Sequence, residues 1–194
     1  MKFYFTLALA TILMTGSTFA QHANIGFKAG LNSYNINSNN GGSSYNSKLG
    51  LNIGMFGHIH LDKQLAFQPE LVYSSQGAKY TYLGTETTIN LDYINVPLML
   101  QYMFENGFRI EAGPQVGFLV SAKSKTNNST TDIKSSIKGI DFGLGLGLGY
   151  VDPKSGFGVD ARYNLGLSNI NENTSSKSTN AGFQFGVFYL LGHK

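Results

Sequence analysis

The sequence predicts an all-β protein, an eight-stranded antiparallel up-and-down transmembrane β-barrel. Three observations carry this. Apolar and aromatic residues alternate with glycine or polar residues along eight separate stretches, a period of two that belongs to strands and not to helices. The connections between those stretches run long, short, long, short, long, short, long, the rhythm of a membrane barrel with short turns on one side and long loops on the other. The composition holds 24 Gly, 14 Phe and 11 Tyr but only 4 Pro, and aromatics suit both strands and membrane interfaces.

Asp141–Tyr150, DFGLGLGLGY, shows the logic most plainly. Phe142, Leu144, Leu146, Leu148 and Tyr150 fall on one face, and Asp141 and four glycines fall on the other. A water-facing surface of glycine would weaken a soluble strand. A narrow barrel reverses the requirement: its outside meets lipid, and its interior must leave room for polar side chains from other strands.

In chain order, MKFYFTLALATILMTGSTFA has a basic Lys2, an apolar run from Phe3 to Met14 and a small-x-small end at Thr18-Phe19-Ala20. It is expected to be an export signal, residues 1–20, cleaved before Gln21, with 21–194 forming one barrel domain. The first strand is Ala23–Asn32, and the Ser/Asn/Gly-rich stretch Ser33–Ser47 reads as a long loop. Lys48–Leu61 is the second strand, Asp62-Lys63-Gln64 a turn and Leu65–Ser75 the third strand, with a bulge expected at Pro69 because proline lacks a ladder donor. Gln76–Thr87 is a second long connection in which Tyr80 and Tyr82 suggest a hairpin continuing past the membrane edge. Thr88–Met103 is the fourth strand, and Asn106-Gly107 marks a tight turn into the fifth, Phe108–Phe118. The polar loop Ser121–Ser136 leads to Asp141–Tyr150, the turn Asp152–Ser155 to Phe157–Leu167, and the polar loop Ser168–Thr179 to Ala181–Leu191.

Inward parity gathers His58, His60, Glu70, Arg109, Glu111, Asp141, Asp160 and Arg162, accompanied by Lys28, Asn52, Gln68 and Gln115. An eight-stranded interior is just wide enough for side chains to fill, so this set is expected to form a packed structural salt-bridge network. Arg162 is expected to bridge at least two of Asp160, Glu111 and Glu70, since arginine can fork its donors between carboxylates. A lipid hydrolase would need a nucleophile, a histidine base and a carboxylate close together. His58 and His60 are the only histidines inside the predicted barrel, and they lie at the short-turn end, away from the outer leaflet. No enzyme activity and no cofactor are therefore expected. The same histidine pair lacks a third ligand at metal spacing, and GLGLG lacks the helix of a dinucleotide fingerprint. With no cysteine the chain has neither disulfides nor thiol chemistry. A formal charge of +3 without a Lys/Arg cluster argues against nucleic acid.

Four stretches, YINVPLMLQYMF, FRIEAGPQVGF, DFGLGLGLGY and DARYNLGLSNI, resemble the outer membrane beta-barrel domain common in Bacteroidetes, the PorT-like family. The matching positions are Tyr93, Pro97 and Leu98; Gly113 and Pro114; Asp141, Gly143 and Gly145; and Arg162, Tyr163, Gly166 and Leu167. Gln101 departs from the pattern, where a lysine is common. The resemblance implies an outer-membrane barrel; the alternation of long and short connections implies periplasmic termini and extracellular long loops, and the barrel is expected to be monomeric among outer membrane lipids. Its function is expected to be structural, or a surface interaction through those loops. An accessory part in a protein secretion system, through a secretion-system partner, is the alternative drawn from the family, and a small-solute porin is the third reading.

Overall fold

The structure, a computed structural model, describes residues 23–38, 45–127, 129–173 and 177–192. The expected signal Met1–Ala20 and the expected mature terminus Gln21 lie outside the described residues. The strands are β1 (Ala23–Ser38), β2 (Asn46–His60), β3 (Leu65–Tyr82), β4 (Thr85–Met103), β5 (Phe108–Thr126), β6 (Ser129–Asp132), β7 (Ile140–Val151), β8 (Phe157–Gly166) and β9 (Ser178–Leu190). All pair antiparallel in one sheet. The pairings pass from β1 through β2, β3, β4, β5, β7, β8 and β9 back to β1, forming a ring, while β6 is attached to β5 alone.

The expectation of an eight-stranded barrel is thereby corrected: the sheet has nine strands, eight of them paired in a ring and β6 added on β5. The extra strand comes from Ser121–Ser136, which its polar composition marks as loop. Instead β5 continues through Lys125 to Thr126 and the chain folds back, Lys123 opposite Asp132 and Thr126 opposite Ser129. Hydrophobic alternation reports a strand only where one face meets lipid or a core, so a strand with polar residues on both faces is silent in that pattern. The other three connections are shortened in the same way. Ser33–Ser38 belongs to β1, β9 begins at Ser178, and β3 and β4 run on to a two-residue turn at Leu83-Gly84. Both turn residues are left-handed, with φ of 48° and 79°, which matches the twist of a hairpin.

The bulge expected at Pro69 is absent. Phe56 opposite Glu70 and Ile59 opposite Phe67 keep one register across it, so the missing donor simply leaves a gap in the ladder. Register shifts lie elsewhere, between Ser47 and Asn52 and at Asp92/Tyr93.

The outward face is apolar: Leu51, Ile53, Leu100, Phe118, Leu146 and Phe185 are all exposed, Leu146 by 60%. Buried polar side chains outnumber buried apolar ones among the described residues, the inverse of a water-soluble core. Two apolar clusters close the ends of this polar interior. At the loop end Ile36, Leu91, Tyr93, Leu119 and Ile170 pack together, supported by Ile133 and Ile137 from the β6–β7 connection. At the short-turn end Phe56, Phe188 and Leu190 form the second cluster, with the two phenyl rings edge-on at 5.8 Å.

Candidate functional site: the interior charge network

The network is built on register. Glu111 of β5, Gly147 of β7 and Arg162 of β8 share one row. A Cβ at Gly147 would stand 2.7 Å from Glu111 Oε1, and one at Gly145 would stand 3.2 Å from both Arg162 Cδ and Met99 Cε. Glycine in β7 is thus the space through which the long side chains of its neighbours reach each other.

Arg162 is fully buried. Its Nε donates to Glu111 Oε1 at 2.7 Å, and its two terminal nitrogens donate to Glu70 Oε2 and Oε1 at 3.1 and 2.7 Å. The nitrogen on Glu70 Oε1 also lies 2.6 Å from Glu111 Oε1. Glu70 further accepts from Gln68 at 2.9 Å and from Lys28 at 3.4 Å. Glu111 accepts from Gln101 at 2.7 Å. Asp160 pairs with Lys28 at 3.2 Å. Arg109 donates to Gln101 at 3.4 Å, and its guanidinium lies 4.5 Å from the centre of the Phe188 ring. Such charges are tolerable in a dry interior only when paired and hydrogen-bonded. Three cations, Lys28, Arg109 and Arg162, face three anions, Glu70, Glu111 and Asp160.

The remaining residues of the predicted set lie apart from this cluster. His58 is buried, with Nδ1 3.4 Å from Gln68 Oε1, and its ring meets His60 edge-on at 4.7 Å. His60 itself is exposed at the rim, where both histidines line a cleft of about 430 Å³ with Asp62, Lys63, Glu105 and Arg109. His60 keeps the inward parity of His58, but β2 ends there and its side chain reaches water. Asp141 sits near the loop end and accepts from the Ser168 hydroxyl.

A second polar layer lies beside the network, and of its members inward parity in the sequence names Asn52 alone. Asn32 donates to Ser74 at 2.8 Å and accepts from Asn52 at 2.8 Å, Gln184 donates to Asn52 at 3.2 Å, and Asn180 donates to Gln76. Inward parity was available as a signal, but uncharged amides in Asn-rich surroundings read equally well as loop.

The motif residues are accounted for by packing. Tyr93 belongs to the loop-end cluster and Pro97 is fully buried. Leu98 and Leu167 face outward, Pro114 pairs opposite Leu144, and Tyr163 packs on Phe183 with ring centres 4.9 Å apart. A Cβ at Gly113, Gly143 or Gly166 would stand 2.0, 2.8 or 2.2 Å from the carbonyl oxygen of Leu98, Leu165 or Asn180. Among the described residues no group of three or more His, Cys, Asp or Glu side chains could hold a metal ion.

The profile of the outer membrane protein beta-barrel domain matches residues 19–172. No curated protein matches. Among solved structures, Neisserial surface protein A superposes with a TM-score of 0.58 at 13% identity, covering 86% of this chain and 97% of the other. Ail, the attachment invasion locus protein of Yersinia pestis, gives 0.51 at 12% identity, covering 88% of this chain and 99% of the other. At such identities the likeness is one of fold.

Proposed function

From the premise that this chain belongs to the outer membrane protein beta-barrel domain family, we propose that it is a membrane-anchored platform presenting its loop-end rim to a partner at the cell surface. It is a non-enzymatic, β-structured outer-membrane protein. The observation that carries the platform reading is the filled interior: a charge network and an amide layer stacked between two apolar clusters. A ring so packed offers solutes no path, which disfavours a porin.

The material at the loop end supports presentation. β3, β4 and β5, of 18, 19 and 19 residues, are longer than the roughly 9–11 residues a tilted strand needs to cross the hydrocarbon layer. The surplus of β3 and β4 ends in the β3–β4 hairpin, whose tip Leu83 is 87% exposed, and that of β5 pairs with β6. On this reading residues 1–20 are removed on export, both termini are periplasmic and the hairpin is extracellular. An accessory role in protein secretion rests on the PorT-like resemblance, and the motif residues that carry it are also those the packing requires.

An epitope inserted at Leu83-Gly84 is expected to bind antibody on intact cells, and a photo-crosslinker at Leu83 to capture a partner that one at Lys63 does not. Antibody access only after permeabilisation would overturn the surface reading.

A further inference from the structure

One row nearer the short turns, the arrangement around Gly147 repeats. Arg109 of β5 and Asp160 of β8 flank Gly149 of β7 in register, as Glu111 and Arg162 flank Gly147. The upper pair meets directly. In the lower row Arg109 Nε, one of its terminal nitrogens and Asp160 Oδ1 are buried without a protein hydrogen-bond partner among the described residues. The same two side chains line a cavity of about 10 Å³ with Gly149, Gln68, Gln101, Glu111, Phe56 and Phe188. That volume admits roughly one water molecule, which needs two or more polar partners to remain.

We propose that this cavity is a binding site for a single buried water, which accepts from Arg109 and donates to Asp160 Oδ1. The charges argue for a neutral guest. Lys28, Arg109 and Arg162 already balance Glu70, Glu111 and Asp160, so a halide or a cation would leave the interior with an uncompensated charge. The water completes a circuit: Arg109 to Gln101, Gln101 to Glu111, Glu111 to Arg162, Arg162 to Glu70, Glu70 to Lys28, Lys28 to Asp160, and through the water back to Arg109. The Phe56 and Phe188 rings of the short-turn cluster line it, so exchange with bulk water is expected to pass through that cluster. This inference concerns the interior alone and is independent of any surface partner.

The test is a high-resolution crystal structure of the refolded protein, with a second crystal soaked in bromide. The expected result is one water-sized density within hydrogen-bond distance of both Arg109 and Asp160, with no anomalous bromide signal there. A bromide peak would replace the water with an anion site and overturn the proposal, as would an Arg109 rotamer bonded directly to Asp160 with no density between them. In solution, oxygen-17 magnetic relaxation dispersion should count at least one long-lived internal water, and fewer in Arg109→Met. A count of zero in the parent protein would also overturn it.

Discussion

Arg162 meets the carboxylates of Glu70 and Glu111, 92 and 51 positions away in the chain, but not that of Asp160, two residues before it. The reason is geometric. Side chains at i and i+2 of a strand point the same way about 7 Å apart, whereas neighbouring strands lie about 4.8 Å apart, so a long inward side chain finds its partner across the sheet. Inward parity made Arg162, Glu70 and Glu111 legible as interior residues. The choice of partner depends on strand register, and the pairing of Asp160 with Lys28 was not legible for that reason. Arg162→Ala leaves Glu111 buried without its cation and Glu70 with Lys28 at 3.4 Å as its remaining ion pair, and is expected to destabilise the fold by about 3–5 kcal/mol, measured by denaturant titration in lipid vesicles. A loss below about 1 kcal/mol, the range of a surface pair, would mean that water reaches the network. Gly145→Leu, driven against Arg162 Cδ and Met99 Cε, is expected to cost about 1–3 kcal/mol through overpacking by the same measurement.

At the scale of the element, β7 is a strand with two purposes, one per face. Its outward Leu146 is 60% exposed, in a band that belongs to lipid. Leu146→Arg is expected to reduce stability by about 2–4 kcal/mol if the residue lies near the bilayer midplane. Folding yield and stability in vesicles check this, and a neutral result would place that face in water. Leu/Gly alternation made the strand legible, and Tyr80 and Tyr82 pointed to the β3–β4 hairpin, whereas β6 and the end of β5 were hidden because their residues are almost all polar. Pro69 shows the opposite failure: a residue with a strong local rule produced no bulge, because the ladder tolerates one lost donor while the register holds. The β7–β8 turn is set by Asp152, whose carboxylate accepts from the Ser155 N–H and hydroxyl at 3.0 and 2.5 Å. These bonds, the Ser155 hydroxyl foremost, hold the Asp152 carboxyl below its usual range. Asp152→Ala should therefore speed amide exchange at Ser155, and unchanged exchange would show that the turn holds without it.

For the whole molecule, the interior decides the role. The sequence made its polarity visible through inward charges and glycine, but not its seals. Phe56, Phe188 and Leu190 fall at inward parity, where the barrel pattern leads one to expect polar residues, and Ile133, Ile137 and Ile170 come from stretches whose neighbours are Ser, Lys and Asn. With both ends closed by apolar side chains, the ring has a filled interior. The most direct test is conductance of the purified protein in planar bilayers. A filled interior predicts no steady open-channel current under an applied potential, in the parent and in variants of the loop-end hairpin alike; stable porin-like conductance in the parent would contradict the account and make the interior a passage.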